Sequence, residues 1–97
     1  MINFEWDPVK AKKNLRKHHV DFSEAATIFK DGLSITIYDP DHSNKEDRYI
    51  TVGTSVAGRL LIVAHADRGD RTRIISARKL TRKERMAYEN EIQRRTD

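Results

Sequence analysis

Residues 59–66, Arg59-Leu60-Leu61-Ile62-Val63-Ala64-His65-Ala66, are apolar almost throughout. A run of this length without polar alternation reads as a strand covered on both faces, which belongs in the middle of a sheet rather than at its edge. Working outward, 67–70 with Gly69 reads as a tight turn into another strand, 72–78. In the other direction, 53–58 is a turn and 45–53 is the strand before it. The polar cluster 39–44 is a further turn. Before it, Leu33, Ile35 and Ile37 alternate with Ser34, Thr36 and Tyr38, the pattern of a strand with one face in a core. Four strands joined by short turns predict an antiparallel meander.

The N-terminal part has a different period. Ile2, Phe4 and Trp6 alternate with polar residues in a short extended lead-in, 1–6, which is either a small strand or a segment that only packs its aromatics. Asp7-Pro8 then opens a helix, with Asp7 as cap and Pro8 at the first position, where no hydrogen bond is lost. Along it, Ala11, Leu15 and His18 form one stripe, expected to pack, with His18 a core histidine. Lys10, Lys13 and Lys17 form another stripe. A second helix starts at Asp21, which has capping-box spacing to Glu24, and Val20 has staple spacing to Ala25. Phe22, Ala25, Ala26 and Phe29 form its core face, and Asp31-Gly32 ends it.

A third helix is expected from about 82 to 93, with Thr81 and Glu84 as a second capping box. It has little to bury: Ala87, Tyr88 and Ile92 lie near one stripe and Met86 points elsewhere. Such a helix is loosely docked or completes its packing against another protein. Residues 94–97 are expected to fray. The fold class is α+β: two N-terminal helices, a four-stranded antiparallel sheet and a C-terminal helix, one domain over 1–97.

The chain has 97 residues, 37% hydrophobic and 35% charged, and no cysteine. Disulfide frameworks and thiolate metal sites are therefore excluded. No apolar run is long enough to span a bilayer, and the N-terminus lacks a signal-peptide layout, so a cytoplasmic location is expected. The four histidines have no metal-ligand spacing, and no metal or other cofactor is expected. Charge is uneven. Residues 68–85, RGDRTRIISARKLTRKER, hold eight basic residues against two acidic ones, a net +6 where the whole chain has +4. Cations fixed on a strand and a helix start suit a phosphate-bearing partner or an acidic protein.

Four segments, FEWDPVKAKKNLRKHHVDFSEAATIF (4–29), HSNKEDR (42–48), GRLLIVAHADR (58–68) and RIISARKLTRKERMAYE (73–89), resemble the BrnT family of type II toxins in order and spacing. The resemblance implies a RelE-like ribonuclease fold and metal-independent cleavage of RNA that inhibits translation. It also implies a DNA-binding BrnA-type antitoxin that binds the toxin in a hetero-oligomer and represses the shared operon. Three positions depart from the family pattern. His19 stands where Gly is more usual, Asp31-Gly32 replaces an Asp-Pro ending, and 64–68 lacks a Thr before the retained Arg68.

Cleavage without metal uses the RNA's own 2′-hydroxyl as nucleophile. It needs a base, cations for the crowded phosphate, and an acid for the leaving oxygen. Arg48, Arg68 and Arg78 are the candidate clamp, because a guanidinium fork fits two phosphate oxygens and stays charged. In a meander Arg48 and Arg68 share one end of the sheet, whereas Arg78 lies toward the other. His65 is a candidate base, or else a sheet-end histidine bonded to backbone. His42 with Glu46 is a second candidate pair, or else turn chemistry with a surface charge. Lys13, Lys17, Arg73 and Arg82 are candidate RNA contacts, or else solvated cations. Tyr88 as a proton donor competes with Tyr88 as a packing anchor, and Trp6 reads as a core or lid residue rather than a base-stacking platform. A non-catalytic basic module that docks nucleic acid or an acidic protein is the alternative function.

Overall fold

The computed structural model describes residues 2–96. Its elements are β1 (Asn3–Glu5), α1 (Pro8–His18), α2 (Phe22–Ala26) running into a 3-10 turn (Thr27–Lys30), and β2 (Ile35–Tyr38). A 3-10 turn (Pro40–His42), β3 (Arg48–Thr54), β4 (Leu60–Arg68), β5 (Arg71–Lys79) and α3 (Arg82–Thr96) follow. The sheet order is β1-β5-β4-β3-β2. β4 is central, as its apolar run requires, and β2 to β5 form the antiparallel meander.

The expected four-stranded antiparallel sheet needs one correction. The lead-in is a fifth strand, which pairs parallel with β5 through Asn3↔Arg71, Phe4↔Thr72 and Glu5↔Arg73. The sheet is therefore mixed. The reason is packing. Phe4 reaches the core beside Phe29, ring centroids 5.2 Å apart, and Trp6 meets the edge of Phe22 at 6.0 Å. Met1 lies outside the described residues.

The helices of the N-terminal half cover one face of the sheet. Val20, Phe22, Ala25 and Ile28 meet Leu61, Val63, Ile74 and Ala77 in a fully buried cluster. Gly53 makes room for the 3-10 turn, since a Cβ there would stand 3.2 Å from the Ile28 carbonyl oxygen. The second helix is shorter than its apolar stripe suggests, because it tightens to 3-10 from Thr27. Its cap also differs. Asp21 accepts from the Ser23 amide at 2.8 Å, but Glu24 turns away to Arg59 and to the Ser55 hydroxyl, 2.7 Å. This joins α2 to the β3–β4 turn.

α1 docks through a polar residue rather than an apolar stripe. Leu15 is exposed and His18 only half-buried, whereas Asn14 is buried. Its side-chain amide donates to the Ala77 carbonyl (2.8 Å) and the Val20 carbonyl (3.0 Å), and its oxygen accepts from the Ala77 amide (3.1 Å). Asn14 thus takes the place of a neighbouring strand where β1 no longer pairs with β5. His19 ends α1 in the left-handed conformation, φ 58°, the backbone that favours Gly.

β4 and β5 contain the feature that sets the other face. Ala64 pairs with Ser76 but His65 pairs with Ile74, so Ile75 is an extra residue in β5. Its insertion resets the alternation of β5. Arg71, Arg73 and Arg78 consequently share the face that Arg48 and Arg68 occupy. α3 lies along one end of this face, over Ile35, Ile37, Val52 and Ile62. None of its described residues is buried. It stays helical through 94–96, where fraying was expected, and Glu91 bonds both Arg94 and Arg95 there.

Two changes test this account of α1. Asn14→Ala strands two carbonyls and an amide, and should lower unfolding stability by about 2–4 kcal/mol in urea titration. A loss under ~0.5 kcal/mol would show that the amide does not hold the helix. His19→Gly should raise stability by ~0.5–1 kcal/mol by relieving the left-handed backbone, and a decrease would contradict that assignment.

Candidate active site

Residues directly paired across strands point to the same side of a sheet. On the face away from the helical core, the row Glu5–Arg73–Ala66–Arg48 crosses four strands, and Arg71 and Arg68 form the next row. Arg78 pairs with Ile62, toward the other end. Four residues of strand, ~13 Å, separate the level of Arg48 from that of Arg78. Long side chains close the gap: both line one hollow of about 290 Å³. Its floor is Ile50, Ile62, Ala64, Ile75 and Ser76, and His42 and Asp39 stand at its rim. A second hollow adjoins it, lined by His42, Lys45, Glu46, Arg48 and Arg68 among others. Arg48 and His42 belong to both.

The arginines are not equivalent. Arg68 pairs with Glu46 at 3.3 Å and Arg73 with Glu5 at 3.3 Å. Arg78 forms a two-pronged pair with Glu84, 2.7 and 3.0 Å. Arg48 forms no ion pair among the described residues, and its Nε is buried without a hydrogen-bond partner. A polar group kept dry and unpaired is uncommon in folded proteins and calls for an explanation at the site where it occurs.

Glu84 serves two purposes. It accepts from the Thr81 amide (2.8 Å) while its own amide donates to Thr81 Oγ1 (3.2 Å), so the expected capping box forms. The same carboxylate holds Arg78. Arg78 first, then the Thr81 amide, lower the Glu84 pKa to about 2.

His42 does not pair with Glu46. Its Nδ1 lies 2.8 Å from Asp39 Oδ2 within the 3-10 turn. A carboxylate only accepts, so Nδ1 carries the proton in this bond, and Nε2 is left to accept one when the ring is neutral. Asp39 had no role in the sequence reading. Its signal was available as an acid three residues before His42, just ahead of Pro40, the spacing that one 3-10 turn brings together.

His65 lies elsewhere. It occupies the helix-covered face, 5% exposed, between Phe29 (centroids 4.9 Å) and Tyr49 (5.9 Å). Nε2 bonds Thr51 Oγ1 at 2.7 Å, and burial lowers its pKa, which keeps the ring neutral. It is separated from the arginines by the sheet itself. Tyr88, midway along α3, donates to the Leu33 carbonyl (3.1 Å) and lines neither hollow. Lys13 and Lys17 lie on α1 beside β5, and Arg82 is exposed at the start of α3. No three His, Asp or Glu side chains among the described residues are grouped as ligands for a metal ion.

A model of the family described as "Ribonuclease toxin, BrnT, of type II toxin-antitoxin system" matches residues 6–84. The chain belongs to the BrnT family. A comparison with curated protein sequences gives no match. Among solved structures, the ribonuclease toxin BrnT of Brucella abortus superposes with a TM-score of 0.62 at 19% identity, over 84% of this chain and 100% of that one. At that identity the likeness speaks for the fold. This BrnT-family chain is therefore a ribonuclease toxin with an RNA target and an antitoxin partner. None of its described helices is long and apolar enough to cross a membrane.

The pairing of Glu84 has a signature in acid. Its folded pKa is below the ordinary 4.5, so its contribution to stability is complete above that value and lost as pH falls through about 2. The stability difference between wild type and Glu84→Gln should be largest above about pH 5 and shrink toward zero near pH 2. Urea titrations at several pH values read this directly. A difference independent of pH would show that the pair with Arg78 does not persist in solution.

Proposed function

We propose that the Arg48 hollow is where this BrnT-family ribonuclease cuts RNA, without a metal ion, by attack of a 2′-hydroxyl on the adjacent phosphorus. The supporting observation is Arg48: a cation without a counter-ion among the described residues, its Nε dry and unpartnered there, shared by two hollows on the charged sheet face. A phosphate oxygen is the acceptor that this group lacks. Arg68 and Arg78 flank it and can exchange Glu46 and Glu84 for phosphate, at the cost of breaking those pairs.

His42, steadied by Asp39, takes the hydroxyl proton at Nε2. The 2′-oxygen then bonds to phosphorus and the bond from phosphorus to the 5′-oxygen breaks. The departing oxygen takes a proton from solvent or from a second group in the hollow. The products are a 2′,3′-cyclic phosphate and a free 5′-hydroxyl. General base catalysis of this type contributes ~10²–10⁴-fold, and a preorganised charge at the phosphate ~10²–10³-fold.

The same reading carries the rest of the toxin role. The chain acts as one BrnT unit of the RelE-like class, in the cytoplasm, and stops translation by cutting RNA. A BrnA-type antitoxin that binds DNA covers it. A basic module that only binds would use the same arginines, but the proton-carrying Asp39–His42 pair at the rim favours chemistry.

Arg48→Gln should lower cleavage in EDTA by about 10²–10³-fold and remove growth arrest in cells while the fold is retained by circular dichroism. His42→Gln should cost ~10²-fold or more in the cleavage rate while the fold is retained. If Arg48→Gln remains fully toxic, this hollow is not the site. Ends other than cyclic phosphate would refute the attack by the 2′-hydroxyl.

A further inference from the structure

A third hollow lies between α1 and the part of β5 that β1 leaves unpaired. It is lined by Lys10, Lys13, Lys17 and His18 on the helix and by Ile75 and Ser76 on the strand. Ile75 and Ser76 also form the floor of the Arg48 hollow. The two depressions are thus contiguous across the bulge. Lys10, Lys13 and Lys17 follow one another at i, i+3 and i+7, so they project on one side of α1. Asn14 sits between them in sequence and locks the helix to Ala77, the residue next to Ser76. This fixes the lysine row beside the strand rather than leaving it to swing. No carboxylate lines the groove, and none of the three lysines forms an ion pair among the described residues. The two arginines that flank the Arg48 hollow, by contrast, each carry one.

We propose that this groove is a second RNA subsite, which holds the phosphate backbone of a single strand on one side of the bond cut in the Arg48 hollow. It rests on the placement of cleavage in that hollow. Single-stranded RNA is favoured over an acidic protein by the continuity of the groove with the hollow and by its narrow row of three cations spaced along one line. A strand entering past Lys10 and Lys17 crosses Ile75 and Ser76, the lining that the two depressions share, and reaches Arg48. The subsite contributes affinity and direction, not chemistry, so it acts on long substrates and not on a dinucleotide.

The test is the triple variant K10Q/K13Q/K17Q of the full chain. The control K12Q/R16Q/K30Q removes the same charge from exposed positions outside the groove. The ratio of kcat/KM on a 20-nucleotide RNA to that on a dinucleotide should fall about tenfold in the first, mostly through KM, and stay near the wild-type ratio in the control. Binding of a non-cleavable 2′-O-methyl 20-mer should lose about 2 from its log–log salt slope, ~0.7 for each phosphate contact removed. An unchanged ratio with an unchanged slope overturns the subsite. So does a variant that keeps its RNA slope but no longer co-purifies with the antitoxin, which would make the groove a protein surface. The binding arm separates this proposal from the nuclease reading. Wild type that binds the 20-mer with the steeper slope yet cuts nothing would refute cleavage at Arg48 and support the groove.

Discussion

One inserted residue governs which side of the sheet carries charge. Strand alternation alone would place Arg73 and Arg78, five residues apart, on opposite faces. With Ile75 as an extra residue, Ile74 and Ala77 both reach the core while Arg73 and Arg78 both reach the open side. The contribution of β5 to that side follows from it, beside Arg48 and Arg68, which the register of β3 and β4 places there. Arg78 can meet Glu84 and the hollow, Ser76 can bridge to the groove beside α1, and Ile74 and Ala77 both stay in the helical core.

The two faces show opposite solutions for polar groups. On the core side they are few and mostly bonded in short chains, such as Thr36–Thr51–His65 at 2.7 Å per step. On the open side, arginines face carboxylates drawn from different elements: Glu5 from β1, Glu46 from the loop before β3 and Glu84 from α3. Exposed pairs of this type add little stability. Their role is better understood as holding long, mobile cations in register above the sheet, with Arg48 left unsatisfied among them.

Much of the fold was legible in the sequence because its signals are local. The apolar run through Val63 marked the central strand and Thr81 with Glu84 marked a helix start that forms as written, whereas the alternation of Leu33 to Tyr38 marked a strand, β2, but not its burial, since Leu33, Ile37 and Tyr38 are exposed and Thr36 takes the core side. What was hidden is non-local. The pairing of 3–5 with β5 is a contact across about seventy residues, and the alternation of Ile2, Phe4 and Trp6 names no partner strand. The bulge at Ile75 looks in sequence like one more apolar strand position. Asn14 looks like a polar interruption on a helix face, though it is the residue by which that face docks. At the proposed site, Arg48, Arg68 and Arg78 were nameable from charge and strand position, and the structure places all three on one face. The partners of His42 and Glu46 were not, because proximity in sequence suggested each other whereas the 3-10 turn gives His42 to Asp39. His65 was misplaced because a strand-end histidine beside Arg68 gives no sign of which face it takes, and the pairing with Tyr49 turns it inward.

Glu84 ties two otherwise separate matters to a single carboxylate. It secures the first turn of the last helix and it occupies the guanidinium of Arg78. An anion arriving at Arg78 therefore competes with the helix for the same hand, and whatever loosens the helix frees a cation on the open face. In the proposed site, substrate capture and the anchoring of the C-terminal segment are consequently written into one another, as two ends of a seesaw whose pivot is that side chain.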